Sequence, residues 1–158
     1  DQKNLARELQ LLSGKPIMYL YNVKDETPQP ANDTTVYLNI KLEEELSGMT
    51  PEERAEFGMS SHLSTLAHAA YRLLGLMSYF TTGEDETRAW TIPKGSTAKQ
   101  AGGAIHSDFE EKFIRAEIIF WEDLLKAGSY AKARELGLLR TEGKDYTVKD
   151  GDVIEFKI

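Results

Sequence analysis

Apolar positions in the first part of the chain switch between helical spacing and short, continuously apolar runs. Leucines recur at helical spacing within residues 3–12, and Gly14 followed by Pro16 can end a helix there. Residues 17–21 (IMYLY) are then continuously apolar, which is typical of a strand buried in a parallel sheet. A helix, a short loop and a buried strand in this order predict an α/β arrangement.

The same type of pattern continues up to Gly75. Residues 36–38 (VYL), with Ile40 close behind, predict a second buried strand that leads into an acidic segment. The sequence TPEE at 50–53 has the spacing of a capping box with proline at the first helical position. An apolar stripe predicts a further helix over 61–74, which Gly75 can close.

After Gly75 the pattern changes to short strands separated by turns and short helices. In order, it predicts a hairpin over 78–92, a helix over 97–104 capped by Ser96, a capping box at 107–110 (SDFE), a strand over 114–118, a helix over 129–137, and a hairpin that joins 146–148 to 154–158 across Asp150-Gly151. This order of elements is that of a small β-grasp, or ubiquitin-like, sheet. We therefore predict two units with a boundary near residue 76.

Composition narrows the class of protein. The chain has 158 residues, 41% of them hydrophobic and 28% charged, which fits one ordinary domain or two small ones. No apolar run approaches the length of a membrane span, the first ten residues lack an apolar leader, and there is no cysteine for a disulfide or a thiolate site. We expect a cytoplasmic protein without membrane contact. The first residue is Asp1 rather than methionine, which suggests a fragment of a longer protein.

Charge argues against a protein that coats nucleic acid, because the formal net charge is −7. Most of the excess lies in residues 1–62, so a local basic face remains possible in the second part. Five basic residues could form such a face toward RNA or a protein: Arg88, Lys94, Lys99, Lys112 and Arg115. The alternative is an ordinary solvated surface, since acidic residues at 108, 110 and 111 dilute the charge.

Two other polar groups have simpler interpretations. His106 and Asp108 could suggest a metal or an acid–base pair, but two ligands are too few for a closed metal site, and the SDFE segment favours a helix cap. An acidic patch is interpreted as solvated helix surface; it consists of Glu43, Glu44, Glu45, Glu52, Glu53 and Glu56. No spacing of serine, histidine and carboxylates predicts a catalytic group, so we predict neither a catalytic residue nor a metal site.

A polar turn follows the first predicted strand, in the segment YLYNVKDE at 19–26. In nucleotide-binding α/β proteins such a turn often contacts a purine base, yet the chain contains no GxxxxGK[ST] loop to hold phosphates. Asn22 and Asp25 are also common turn formers, so an ordinary turn is the alternative.

Several longer segments carry a family resemblance. Residues 88–118 (RAWTIPKGSTAKQAGGAIHSDFEEKFIRAEI) and 143–157 (GKDYTVKDGDVIEFK) resemble the TGS domain of the YchF/Obg-like ATPase family. Residues 49–58 and 69–92 resemble the segment that precedes this domain, and the first 46 residues resemble the end of the nucleotide-binding domain. The resemblance implies an α+β chain in which a partial P-loop-type α/β domain (1–60) and a connecting helix (61–76) precede a ubiquitin-like β-grasp (TGS) domain (77–158).

The resemblance also implies a function. It suggests the C-terminal segment of a ribosome-associated ATPase or GTPase, whose phosphate-binding loop lies upstream of this sequence. The full-length parent would bind ATP or GTP with magnesium and contact the ribosome or ribosomal RNA. This chain alone would be inactive, would hold no nucleotide tightly, and could self-associate through its truncated domain. The alternative is a free-standing TGS module that binds RNA or a protein without nucleotide-dependent activity; a small-molecule sensor is a remoter one.

The residues that would face the base follow from the same resemblance. The family pattern is Asn-x-x-Glu, whereas this sequence has Asp at the fourth position, as ordinary GTPases do, so guanine becomes a candidate base. Two short segments contribute the predicted base contacts: Asn22, Val23 and Asp25 in the first, and Asn39, Ile40 and Lys41 in the second.

Overall fold

The computed structural model describes residues 9, 11–24, 34–83 and 86–158. Within it the chain divides into two compact units, residues 1–74 and residues 75–158. The helix predicted over 3–12 falls largely outside the described residues, and Leu12–Gly14 forms a single 3-10 turn. No helix in the described ranges is long and apolar enough to cross a membrane.

The first unit is built on two parallel strands, β1 (Tyr19–Asn22) and β2 (Thr35–Leu38), with Tyr19 opposite Thr35 and Asn22 opposite Leu38. Three helices follow them: α1 (Ile40–Ser47), α2 (Pro51–Glu56) and α3 (Leu63–Leu74). The core of the unit consists of Val36, Leu38 and Ala69, with Met18 and Leu66 packed against them. One face of β2 therefore packs on α3, and the predicted parallel pairing is confirmed.

The burial predicted for β1 is wrong. All four of its residues are exposed, and Ile17, just before it, is 55% exposed. A parallel strand is buried only when it has neighbours on both sides and layers on both faces. Among the described residues, β1 has β2 as its one strand partner.

Ile40 was expected to extend the second strand, and this is also wrong. It is the first residue of α1 and is 46% exposed. Asn39 ends the strand because its side chain accepts a hydrogen bond from the Leu42 N–H and so caps the helix.

The acidic segment has one member that is not solvated surface. Glu43 is only 7% exposed, and its carboxylate accepts hydrogen bonds from the Ser61 hydroxyl and the His62 N–H, both at 2.6 Å. It thereby satisfies backbone at the start of α3 from a distant part of the chain. The capping box of Thr50 and Glu53 at the start of α2 is confirmed.

The second unit is a five-stranded sheet of the ubiquitin-like β-grasp type. Its strands are β3 (Leu76–Thr82), β4 (Thr87–Pro93), β5 (Arg115–Phe120), β6 (Arg140–Glu142) and β7 (Asp152–Lys157). They lie in the order β4-β3-β7-β5-β6, with β3 and β7 parallel and the other neighbours antiparallel. Its helices are α4 (Ala98–Ile105), α5 (Ser107–Glu111), α6 (Trp121–Ala127) and α7 (Tyr130–Glu135).

Both faces of this sheet are covered. On one face the buried side chains surround Tyr79, Ile118 and Ile154, and α4 contributes Ala98 and Ala101. On the other face a smaller cluster of Ile119, Ala133 and Val153 packs beneath α6 and α7. This two-sided burial explains the apolar residues at consecutive positions in β5 and β7.

The hairpin predicted across Asp150-Gly151 is wrong. Residues 146–148 form no strand, and Thr147 makes only an isolated bridge to Thr97. β7 instead enters the middle of the sheet between β3 and β5. Gly151 (φ 86°), just before β7, bonds on both sides: its N–H donates to Ser78 O in β3 (2.9 Å), and its carbonyl accepts from the N–H of Trp121, the residue that follows β5 (3.1 Å).

Two helix starts differ from the prediction by one residue. Thr97 rather than Ser96 caps α4, in a capping box with Gln100. His106 rather than Ser107 caps α5, because its Nδ1 accepts from the Asp108 N–H (3.1 Å). The capping interpretation of the His106–Asp108 pair is therefore correct, with the histidine as the acceptor.

Candidate functional site

The carboxyl ends of β1 and β2 bring together most of the residues predicted to contact a base. Because the strands are parallel, Asn22–Val23 and Leu38–Asn39 meet at one edge. In open α/β sheets, ligands bind outside this edge of the strands. The Val23 N–H donates to Leu38 O at 3.0 Å, which continues the strand pairing into the turn.

Two asparagine side chains fix the geometry of this edge. Asn22 Oδ1 accepts from the Ile40 N–H at 3.2 Å, and Asn39 Nδ2 donates to Lys24 O at 3.1 Å. Each asparagine at the end of one strand thus bonds to the segment that follows the other strand. While Oδ1 is held by Ile40, the Asn22 Nδ2 group has no acceptor among the described residues, and Asn22 as a whole is exposed.

The remaining base-side predictions are placed less favourably or lie outside the described residues. Asp25 lies outside the described residues. The Lys41 side chain is 84% exposed and extends along α1 toward Glu45, at 3.9 Å. Tyr21 and Tyr37 stack side by side on the sheet beside this edge, with ring centres 5.2 Å apart.

The predicted basic residues of the second unit are distributed over different parts of the sheet. Arg115 begins β5 opposite Lys157, at the end of the sheet where β3 stops. Lys94 follows β4 at the opposite end, and Lys99 lies on the first turn of α4. Lys112 is paired with Asp108 at 3.3 Å.

Arg88 lies on the edge strand β4 and stacks on an aromatic ring. Its guanidinium carbon is 4.3 Å from the centre of the half-buried Trp90 ring, a cation–π contact. The Trp90 Nε1–H donates to Thr81 Oγ1 at 2.9 Å. One face of the indole is therefore already occupied by the arginine.

A buried carboxylate organises the loop that precedes β7, and it was not among the predicted site residues. Asp152 is 1% exposed and accepts from the Tyr146 hydroxyl and the Lys149 N–H, both at 2.9 Å. Arg140 lies 3.7 Å from the same carboxylate. Burial and the Asp152 hydrogen bond raise the pKa of Tyr146.

Among the described residues no cluster of three or more histidine, aspartate or glutamate side chains could hold a metal ion.

Comparison with known proteins identifies relatives over the entire chain. A family model described as "YchF-GTPase_C: Protein of unknown function (DUF933)" matches residues 76–158. The Ribosome-binding ATPase YchF of Bacillus subtilis (strain 168) is 43% identical over 178 residues, covering 99% of this chain and 49% of the relative. The protein of the same name from Escherichia coli O157:H7 is 40% identical over 174 residues, covering 99% and 48% respectively.

A solved structure is similar as well. The Schizosaccharomyces pombe YchF GTPase aligns with a TM-score of 0.81 and 32% identity, covering 98% of this chain and 46% of that chain. The present chain thus spans about half the length of the curated relatives and of the solved structure that it matches.

Proposed function

The chain belongs to the YchF family, and on that basis we propose that it is the C-terminal part of a cytoplasmic, ribosome-associated ATPase or GTPase. In this proposal residues 1–60 complete the base side of a purine nucleotide pocket, 61–76 form a connecting helix, and 77–158 form a TGS module that contacts the ribosome. The names of the relatives, which include ribosome binding and ATPase or GTPase activity, support it. Magnesium and the nucleotide phosphates would be held by other parts of the longer protein.

The observation that carries the nucleotide side of the proposal is the position of Asn22. Its Oδ1 accepts from the Ile40 N–H at the carboxyl edge of two parallel strands, and its Nδ2 forms no hydrogen bond with a described residue, so this group is the candidate donor to a base. Both adenine and guanine present N7 as an acceptor. Asn22 can therefore hold either purine, and discrimination between them is assigned to Asp25.

The nucleotide proposal is tested by competitive titration of ATP against GTP on a full-length protein that carries this segment. Asp25→Asn should lower GTP affinity roughly ten- to a hundredfold and ATP affinity little, since a charged hydrogen bond is worth on the order of 1.5–3 kcal/mol. Asn22→Asp keeps the oxygen that binds Ile40 but removes the donor, so it should weaken both nucleotides together. Equal effects of Asp25→Asn on both nucleotides would show that Asp25 is only a turn residue.

The ribosome proposal is tested by co-sedimentation of the 158-residue chain with purified ribosomes. We expect the chain to pellet with ribosomes, and a chain limited to residues 1–74 to remain in the supernatant. If binding by the full-length protein does not respond to nucleotide, the alternative of a TGS module without nucleotide-dependent activity is favoured. A chain that stays in the supernatant at every ribosome concentration would contradict the proposal.

A further inference from the structure

The sheet of the second unit has two edge strands that differ in length and charge. β6, at one edge, has three residues, of which Arg140 and Glu142 are charged. β4, at the other edge, has seven residues, Thr87–Pro93, and Arg88 is its one charged residue. Proteins commonly protect an exposed edge by keeping the strand short or charged. Of the two edges, β4 is therefore the one on which a further strand can pair.

The register of the β3–β4 hairpin shows which backbone groups of β4 face outward. The Lys94 N–H, directly after β4, donates to Gly75 O at 2.7 Å. In an antiparallel ladder every second residue bonds to the same partner strand, so the even-numbered residues of β4 bond to β3. The N–H and C=O groups of Thr87 and Ala89 therefore face the outer edge, where no described strand pairs with β4.

An apolar groove of about 280 Å³ lies on one face of the sheet beside this edge. A row of paired residues crosses that face: Val153 in β7 lies opposite Phe80 in β3, and Phe80 lies opposite Ala89 in β4. Val153 and Phe80 line the groove, and α6 borders it with Trp121 and Leu125, which are 41% and 71% exposed. Since the row ends in a small alanine, a large side chain from a neighbouring strand can lie over Ala89 against these apolar groups.

The other face of the same edge carries a positive charge. Arg88 and Trp90 point to the face opposite Ala89, because side chains alternate along a strand, and Trp90 packs there against the core that contains Tyr79. Arg88 stacks on Trp90 and forms no ion pair with a carboxylate in the part of the chain that the structure describes. A strand added to β4 would alternate in the same way. One of its side chains would face the groove, and the two beside it would face Arg88 and Trp90.

We propose that β4 binds an extended segment of another protein, which adds to the sheet as an antiparallel strand. A large apolar residue of this segment lies opposite Ala89 and enters the groove, and an acidic neighbour pairs with Arg88. In binding of this kind main-chain hydrogen bonds supply affinity, and alternate side chains supply specificity. The interaction goes beyond the nucleotide and ribosome contacts of the proposed function and does not depend on them.

A second copy of this chain fits the edge less well. If two β4 strands paired with each other, the side chains added to the groove face would include Thr87, Ala89 and Thr91. These are too small to fill a groove bordered by Phe80 and Leu125. The second copy would also bring another arginine to this edge and no carboxylate from within β4. An acidic, apolar segment of a different protein is therefore the occupant that matches both faces.

The test measures fluorescence anisotropy of a fluorescein-labelled peptide, Gly-Thr-Glu-Phe-Glu-Thr-Gly, with the 158-residue chain. We expect saturable binding. Replacing the central Phe of the peptide by Ala should weaken binding roughly ten- to a hundredfold, because its apolar surface is no longer buried. N-methylation of the same Phe removes the N–H that donates to Ala89 O and should weaken binding at least about fivefold.

Variants of the chain test the two faces separately. Leu125→Glu puts a carboxylate into the groove and should weaken binding at least roughly tenfold. The matched control is Leu136→Glu at another exposed leucine, which does not line the groove, and it should bind like the wild type. Arg88→Gln should weaken binding about two- to fivefold at low salt. A peptide with Gln in place of both Glu residues should not respond to that substitution.

The backbone contact has its own readout in amide hydrogen exchange measured by NMR. The Ala89 N–H faces outward, so it should exchange rapidly in the free chain and slowly once the peptide is bound. The Arg88 N–H bonds to β3 and should be protected in both states. Slow exchange at Ala89 that appears only with the peptide supports strand addition, since binding to the groove alone would leave this amide unchanged.

Four outcomes would overturn the proposal. The first is that peptides with central Phe, Leu and Val all fail to bind. The second is binding that Leu125→Glu leaves unchanged, and the third is binding without protection of the Ala89 amide. The fourth is a dimer of the wild-type chain in light scattering that Leu125→Glu abolishes, which would assign this edge to a second copy.

Discussion

Two tyrosines of the second unit differ in what their hydroxyl groups bind. Tyr79 is fully buried and donates to Ala101 O at 2.7 Å, which joins β3 to α4. Tyr130, on α7, has a buried hydroxyl without a hydrogen-bond partner in the described part of the chain. Burial raises the pKa of Tyr79 well above its usual range. Burial, followed by the charges of Glu155 and Glu117, raises the pKa of Tyr130 to about 12.

The two tyrosines should therefore respond oppositely to phenylalanine. Tyr79→Phe leaves the Ala101 carbonyl without this donor and should cost about 0.5–1.5 kcal/mol of unfolding free energy at neutral pH. Tyr130→Phe removes an unpaired buried hydroxyl and should be neutral or stabilising by up to about 1 kcal/mol. Urea denaturation of both variants measures the difference; a cost for Tyr130→Phe equal to that of Tyr79→Phe would show that Tyr130 has a partner.

The raised pKa of Tyr130 also predicts a pH dependence. An unfolded tyrosine titrates near 10, and the folded one near 12, so the protonated form is favoured by folding. Its contribution is complete below pH 10 and disappears as the pH rises toward 12. The stability of the wild type relative to Tyr130→Phe should therefore fall across this window. A constant difference between pH 9 and pH 12 would contradict the prediction.

A single glycine lets β7 enter the sheet. At Gly151 an added Cβ would lie 2.7 Å from the Trp121 ring and 2.9 Å from the Phe120 ring, in a backbone conformation with φ 86°. Gly95 has a similar φ of 87° but open space around it. Gly95→Ala should thus cost about 1–2 kcal/mol from backbone strain alone, whereas Gly151→Ala adds about 1–3 kcal/mol of overpacking. Thermal unfolding of the two variants distinguishes these costs, and equal costs would mean that the two rings move aside freely.

At the scale of elements, the starts of α4 and α5 use different chemistry. Thr97 caps α4 reciprocally with Gln100, so two donors are satisfied by side chains. His106 caps α5 through its ring, which leaves Ser107 inside the helix. Gly102 and Gly103 lie near the end of α4. Because they have no side chains, the Phe109 backbone and the Glu110 side chain can lie close to this helix.

These caps give a prediction that separates neighbouring hydroxyl residues. Thr97→Ala should lower the unfolding free energy by about 1 kcal/mol, since it breaks the capping box. Ser107→Ala should be nearly neutral, because His106 supplies the acceptor for the Asp108 N–H. Chemical denaturation of both variants tests this; a larger cost for Ser107→Ala would mean that the serine caps the helix.

Elements with local signals were predictable, and those set by distant contacts were not. The β3–β4 hairpin, the strand β5 and the capping box at Thr50 have patterns contained within a few residues. A closer inspection would have found the Thr97 cap, since Gln100 stands three residues after Thr97 and only a lysine follows Ser96 at that spacing. By contrast, Asp150-Gly151 is a strong local hairpin signal that is overridden, because β7 pairs with β3 and β5 from far along the chain.

The candidate site was predictable to a similar extent. The sequence placed Asn22 and Asn39 at the ends of two strands, and the parallel pairing then brings them together. Their cross-links to Ile40 N and Lys24 O could not be anticipated, because they depend on register. The backbone hydrogen bond from Lys99 N to Lys144 O (3.4 Å) depends on the packing of two loops, for which the sequence has no periodic signal.

At the scale of the whole molecule, the two units differ in how their strands are supported. β1 has exposed residues throughout, and β2 alternates between buried and half-buried ones, whereas β3, β5 and β7 lie within a five-stranded sheet covered on both faces. Local opening costs less free energy where less apolar surface is buried. The first unit should therefore open more readily than the second.

Hydrogen exchange measured by mass spectrometry tests this difference. Amides of β1 and β2 should exchange faster than those of β3, β5 and β7 in the wild-type chain at low concentration. Repeating the measurement at high concentration shows whether self-association protects the exposed strand. Equal protection of both units in a monomer would contradict the prediction.

The central position of β7 has a consequence for synthesis of the chain. Without β7, the sheet consists of two separate pieces, β4-β3 and β5-β6, that share no strand pairing. The parallel pairing of Phe80 with Val153 can form only after Val153, seventy-three residues later in the chain, has been synthesised. A ribosome translating this segment therefore exposes two incomplete halves until β7 has left the exit tunnel. The sheet thus closes only after residue 157 has emerged, and a nascent chain stalled before residue 152 presents open strand edges to chaperones and proteases.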